Sequence, residues 1–447
     1  MLGIDKKELK LTLILAFPII FSQLGQMFMG VIDTIMIGRV GATPLAGSAI
    51  STSIFGLFLI FGFGLSSSVS AFVAHAFGAG EKSECGEILK HGLVINLFAG
   101  LVMAGIMELG SNYFHLLGQP PEVTAQAQTF FPILGWSIVP LMVFQAFRQF
   151  MEGLSETIIP MIIMVCGILV NVFLNYLWIY GNWGWQAYGL EGAGYATLCA
   201  RIFMLCLGIA YVLTHSRFKP YLPLHRFGKL NAARFKKIFK QGLFSGFQFL
   251  FEVGAFTGAA VMMGWFGAKT LAGHQIAINL AALTYMVTLG ISFATSIRIA
   301  QAMGKKQFHT ARKIGFTSIH AATAIMGIFA ILFVVGKYTL ASIYIQDEEV
   351  IEIAVRLILI GAVFQVFDGI QGVAVGALRG LLDVRIPTVI TFFAYWVFSL
   401  PAAYYLGFKT EFGAPGIWIA LTLGLAIAAV GLTLRFAFVT SDLRAKN

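Results

Sequence analysis

Three acidic residues fall where lipid-soluble sequence gives no reason for them: Asp33, Glu252 and Asp368 each lie within a long apolar run. Asp33 precedes Gly38 by five residues, Glu252 is near the middle of its run, and Asp368 is about eleven residues from the inner end of its own. A carboxylate in a low dielectric is tolerated only when a proton or a cation neutralises it. Such a group can be satisfied in turn by a proton, a small metal ion or an organic cation, which is the chemistry of ion-coupled exchange. Glu252 and Asp368 both fall near the midplane, and two nearby carboxylates there cannot stay ionised without a counter-cation. Competition between a small ion and a cationic drug for that pair would produce exchange.

Asn171 and Asn175 are four apart and share one helix face. With Asp33 and Thr197 they offer the oxygen ligands that a small hard cation prefers. The same spacing serves hydrogen bonding between helices equally well. Arg201, midway along its run, is a candidate internal counter-charge, better suited to a fixed structural partnership than to transport. Pro18 removes a backbone hydrogen bond fifteen residues before Asp33 and allows a bend. Pro18, Arg201 and Arg379 are accordingly assigned structural or conformational roles.

The elements that hold these residues follow from composition. The 447-residue chain is 58% hydrophobic and 11% charged, with mean hydropathy +0.84. Soluble domains carry about twice that share of charge, so only a bilayer can solvate this surface. Twelve runs reach the length of about 20 residues that a spanning helix needs. They lie near 11–38, 46–77, 88–110, 124–150, 158–180, 190–214, 238–265, 270–303, 314–337, 350–379, 386–408 and 415–438. The fold class expected is all-α integral membrane, twelve transmembrane helices in two pseudo-symmetric six-helix lobes. The lysine-bearing N-terminus precedes a run with no small-residue cleavage site, which reads as a retained first span rather than a signal peptide.

Basic residues set the orientation. With a cytoplasmic N-terminus, the inner segments and the adjoining span ends hold 24 Lys and Arg, the outer loops 4, and Arg201 and Arg356 fall within spans. Both termini are therefore expected in the cytoplasm, with the protein in a bacterial inner membrane. This distribution also explains the net charge of +10 without any nucleic-acid partner. Residues 214–237 form a basic linker between an N-lobe (1–213) and a C-lobe (238–447), and Asn231 to Lys240 could lie on the anionic inner leaflet as a basic amphipathic helix. An ordinary positive-inside linker is the simpler alternative.

The two halves repeat. Met36 to Ile50 matches Met262 to Ile276 at eight of fifteen positions, at an offset of 226. The offset persists at Ala74, Ala76 and Gly78 against Ala300, Ala302 and Gly304, and grows to 227 where Gly153–Pro160 aligns with Gly380–Pro387. Repeats of six spans, an even number, enter from the same face, an architecture of transporters that alternate access by rocking of the halves.

Other chemistry finds no footing. The four cysteines (Cys85, Cys166, Cys199, Cys206) form no disulfide or zinc pattern. Eight histidines lack ligand spacing, and Gly78–Ser83 lacks the Gly before Lys that a phosphate loop needs. A membrane enzyme would be supported only by turnover without translocation. Abundant Phe (42) and Met (16) suit an adaptable apolar cavity.

Val31-Ile-Asp-Thr-Ile-Met-Ile-Gly38, Phe251-Glu-Val253, Gly273-His-Gln-Ile-Ala-Ile-Asn279, Phe367-Asp368 and Gly376-Ala-Leu-Arg-Gly380 together resemble the multidrug and toxic compound extrusion (MATE) family, specifically its NorM-type branch. The resemblance covers essentially all twelve spans. It implies a V-shaped pair of lobes and export of small cationic organic substrates, xenobiotics and drugs, by antiport with Na⁺ or H⁺. It also implies an N-lobe cation site of Asp33, Asn171, Asn175 and Thr197, with Glu252 and Asp368 as the C-lobe counterpart. Na⁺ is thus expected at Asp33 or at Glu252/Asp368, favoured over H⁺ by the presence of the C-lobe acids. Position 175 is Asn where some relatives carry Asp, which bears on the ion preference of the N-lobe site. No other cofactor is implied, and the lipid bilayer is the only structural partner of an expected monomer. The alternative, a flippase for lipid-linked precursors, would want a basic cavity, whereas the midplane here holds three acids against one Arg.

Overall fold

The computed structural model describes residues 5–222 and 230–445. Twelve helices in it are long and apolar enough to cross a membrane. They are α1 (Lys6–Gly38), α2 (Ala42–Gly78), α3 (Lys82–Ser111), α4 (Pro121–Gly153), α5 (Ile158–Trp178), α6 (Gly189–Thr214), α7 (Ala232–Gly264), α8 (Ala268–Gly304), α9 (Phe308–Ser342), α10 (Glu348–Gly380), α11 (Arg385–Phe408) and α12 (Ala414–Ala445). Each matches one apolar run of the sequence and usually extends past it, because backbone pairing continues into the charged interfacial residues. At about 1.5 Å per residue, α2 and α8, of 37 residues each, are far longer than the hydrocarbon core.

Asn231 to Lys240 is not a separate surface helix. Ala232–Lys240 is the start of α7, since neither Gly nor Pro interrupts the chain before Gly242. Of the linker, 223–229 lies outside the described residues. Within α11, Phe393–Ser399 is π-helical. Pro401, having no N–H, cannot bond to Val397, and the wider turn accommodates the break.

Two compact units emerge, one of Met1–Ile20 with Phe247–Asn447 and one of Phe21–Gly246. Their divisions fall inside α1 and α7 rather than at the expected boundaries of 213 and 238. The cuts after Ile20 and Gly246 are 226 apart, the repeat offset, so each half lends the first part of its leading helix to the other unit. Pro18 sits two residues before the first cut.

In the Phe21–Gly246 unit α4 packs against α2, α3 and α6; in the other, α10 packs against α8, α9 and α12. Matching glycines permit this. A Cβ on Gly153 would lie 3.0 Å from the Ser70 carbonyl oxygen, and one on Gly380 2.6 Å from that of Ser296. These are repeat-related positions.

The leading helices are anchored alike but with reversed charge. Asp5 caps α1, its Oδ1 accepting from the N–H groups of Lys7 (2.8 Å) and Glu8 (2.9 Å), while its own N–H donates to Thr317 Oγ1 at 3.4 Å. Lys313 pairs with Asp5 and Arg298 with Glu8. The Lys313 hydrogen bond, then the backbone N–H of Glu8, hold the Asp5 carboxyl down at about 2. At the repeat-related place, Asn231 Oδ1 accepts from the Arg234 N–H, and the Asn231 N–H donates to His91 Nε2, both at 3.0 Å. Here the helix supplies the cation: Arg234 clasps Glu84 with Nε at 2.8 Å and Nη2 at 2.6 Å.

Candidate cation-binding cavities

In the Phe21–Gly246 unit, α1, α5 and α6 bring the predicted polar set together as one chain of hydrogen bonds. Asn171 Nδ2 donates to Thr197 Oγ1 (3.4 Å), and Asn175 Nδ2 donates to both Asn171 Oδ1 (3.2 Å) and Asp33 Oδ1 (2.6 Å). The one-turn spacing of the two asparagines permits the middle link. Both are fully buried, and Asn175 Oδ1 has no partner among the described residues. A buried acceptor left over beside a carboxylate suits a cation, with hydroxyl and amide oxygens to complete its shell. No three His, Cys, Asp or Glu side chains cluster among the described residues, so neutral oxygens would have to supply most of that shell.

The chain of bonds borders a cavity of about 220 Å³, walled also by Gln26, Met29, Phe55 and Met164. Arg201 faces the same space. Its Nη1 donates to Ser137 Oγ at 2.5 Å and its guanidinium lies 4.9 Å from the centre of the Phe55 ring. Its partners are therefore a hydroxyl and an aromatic face rather than an ion pair.

The other unit holds a tighter arrangement on α7, α8 and α10. Glu252 Oε1 accepts from Tyr285 Oη at 3.2 Å and Oε2 from Gln371 Nε2 at 3.5 Å. Asp368 is buried one helical turn before Gln371 and within electrostatic reach of Glu252. It does not line the cavity that Glu252 does. That cavity, of about 10 Å³, is bounded by Gln248, Glu252, Tyr285, Ser292, Gln371 and Arg379 among others. It is the size of a single water molecule. Buried amide oxygens of Gln248 and Gln371, which line it, have no partners among the described residues.

Two basic residues that sequence places at the inner face are interior. Arg148 is paired with Glu152 on the same helix at 2.7 Å, and Arg379 is 1% exposed. Both lie near the C-terminal ends of their helices, so burial leaves the tally of 24 against 4 unchanged. Tyr285, Gln371, Gln248 and Ser137 carried no sequence signal. They are ordinary residues in helices, brought to the carboxylates only by packing between helices remote in sequence.

A family model, MatE, matches residues 18–177 and 245–405, one segment in each repeat. The chain is 33% identical to a probable multidrug resistance protein NorM of Bradyrhizobium diazoefficiens, over 97% of this chain and 94% of that protein. It is 32% identical to the multidrug resistance protein MdtK of Photorhabdus laumondii, over 97% of this chain and 96% of that one. Among solved structures, a MATE protein in a bent conformation superposes with TM-score 0.90 at 21% identity, covering 100% of this chain and 97% of the other. The eukaryotic MATE transporter AtDTX14 gives 0.87 at 18%, covering 98% and 99%. At such identities the structural likeness speaks for the fold.

Proposed function

The chain belongs to the MatE family, and from that premise we propose that it is a multidrug efflux transporter expelling organic cations in exchange for inward-moving Na⁺ or H⁺. The observation that carries this reading is the pair of unequal cavities, each with a carboxylate. The Asp33 cavity, of about 220 Å³ with aromatic and methionine walls, has room for an amphiphilic organic cation. The Glu252 cavity, of about 10 Å³, has room only for a small ion. The expectation that a drug competes directly at Glu252 and Asp368 therefore gives way to a division of labour. The large cation takes Asp33, with Asn171, Asn175 and Thr197 fixing the carboxylate, and the small cation takes Glu252, with Asp368 adding negative charge.

Exchange requires that one site feel the other. Asp33 and Glu252 are on α1 and α7, the two helices that each contribute to both compact units. A shift of either unit is thus passed along a continuous helix that bears a binding carboxylate. Names of relatives such as multidrug resistance protein accord with export. The orientation follows from the basic residues: both termini and the 214–237 linker face the cytoplasm. Labelling of Lys229→Cys by an impermeant maleimide in intact cells, in a background lacking the four native cysteines, would refute that orientation.

The direct test is efflux of tetraphenylphosphonium from proteoliposomes with Na⁺ and pH gradients imposed separately. Accumulation against the tetraphenylphosphonium gradient, driven by at least one of them, is expected. Equal movement with and without both gradients would exclude exchange.

A further inference from the structure

Arg379 is a buried charge with no hydrogen-bonded or ion-paired contact among the described residues. It is 1% exposed, and none of its three guanidinium nitrogens has a hydrogen-bond partner among the described residues. A guanidinium does not deprotonate to escape such burial, and a buried charge without a paired partner is strongly destabilising. Two ring faces hold it instead, with Phe249 at 5.3 Å and Phe293 at 5.4 Å from the guanidinium carbon. It is the only cationic side chain among the described residues that line the Glu252 cavity. Helical side chains lean toward the helix N-terminus. From the last turn of α10 the arginine therefore reaches back along the wall formed by Val375, Gly372 and Gln371.

The repeat gives an internal control. The position equivalent to Arg379, at an offset of 227, is Glu152, which is neutralised by Arg148 one turn earlier at 2.7 Å. The position equivalent to Arg148 is Val375. One half thus closes this place with a self-contained ion pair, while the other leaves a lone cation facing the cavity of a carboxylate. A cavity of about 10 Å³ cannot hold both a small ion and the guanidinium.

We infer that Arg379 is a tethered counter-cation for Glu252. It rests between Phe249 and Phe293 when a small cation occupies the carboxylate and swings onto the carboxylate when that cation departs. Arg379 is then a positioning residue that sets how tightly the site holds its ion, and it lowers the penalty of the empty state. The inference rests on Glu252 being the coupling-ion site.

The sign of the effect separates this role from a structural one. In proteoliposomes, the concentration of Na⁺ or H⁺ giving half-maximal tetraphenylphosphonium efflux is measured for the full-length parent and variants. Arg379→Gln should lower it about five- to tenfold, the low end for coupled sites, because the ion loses its competitor, and maximal efflux should fall as release slows. Arg379→Lys should stay near the parent. Phe249→Leu, which loosens the resting place and keeps the charge, should raise the half-maximal concentration. In a Glu252→Gln background Arg379→Gln should have no further effect. An unchanged or raised value in Arg379→Gln, with the parent responding normally, overturns the inference and leaves the coupling site standing. Should Arg379→Gln not fold, an unshifted Phe249→Leu overturns it equally. A parent indifferent to both cations removes the coupling reading, and this inference with it.

Discussion

The two halves are built on one repeat and yet place their charges differently. Glu252 corresponds at the offset of 226 to Gln26, which lines the large cavity, whereas Asp33 corresponds to Ala259, two turns farther along the helix. Asp368, at the offset of 227, corresponds to Leu141, and Arg201, at the offset of 224 that the left-handed Gly189 and Gly413 set for the last span of each half, to Leu425. The scaffold is therefore duplicated and the chemistry is not. Gly372 and Gly376 of α10 lie against Thr288 and Ser292 of α8, whereas the equivalent α4 positions carry Gln145 and Gln149. A Cβ on Gly376 would lie 2.3 Å from the Ser292 carbonyl oxygen, so α8 and α10 approach backbone to backbone. Glutamines at these positions in one half and glycines in the other accompany a wide cavity beside one carboxylate and a narrow one beside the other.

The largest effect that would break this comparison is loss of Asp33. Asp33→Asn should reduce efflux at least tenfold at equal expression, since a charge-assisted contact of about 1.5–3 kcal/mol is removed, and each ~1.4 kcal/mol is a factor of ten. Parental resistance in cells carrying that variant would mean that the carboxylate only braces α1 against α5. Next comes the small cavity. Glu252→Gln and Asp368→Asn should each abolish most of the dependence on Na⁺ or H⁺, and the double variant should be little worse than either, because both acids serve one ion. Strictly additive losses of ion-stimulated flux would instead mean two independent sites.

The smallest effect concerns the anchors. Asp5→Asn removes a pair with Lys313 but keeps an acceptor for the α1 cap, so a slight fall in Tm with unchanged efflux is expected. The folded Asp5 carboxyl is held below its ordinary value of 3.8, at about 2. Its stabilisation is therefore present above about pH 4 and is lost as pH falls through 2, and the parent and variant Tm values should converge there. A gap that persists at pH 2 would show that the charge is not the source.

Much of this was legible in the residues. Spans, repeat and the shared face of Asn171 and Asn175 follow from apolar run length, a fixed offset and one-turn spacing, all of which are local or periodic signals, whereas the joining of Asp33 and Thr197 to that face rested on the family resemblance. Tyr285 and Gln371 were not legible, because they reach Glu252 only through the close approach of helices far apart in sequence. The burial of Arg379 was not legible for a related reason. Its position near the inner end of a span suggests an interfacial cation, and only the packing of Phe249 and Phe293 turns it inward. The unit boundaries inside α1 and α7 were invisible because the helices run through them unbroken.

The division of labour between the cavities is tested most directly by equilibrium binding of radiolabelled tetraphenylphosphonium to the purified parent, Asp33→Asn and Glu252→Gln. Binding should be lost in Asp33→Asn and retained within a few-fold in Glu252→Gln. The reverse pattern, with binding lost in Glu252→Gln and kept in Asp33→Asn, would contradict the assignment of the organic cation to the larger cavity.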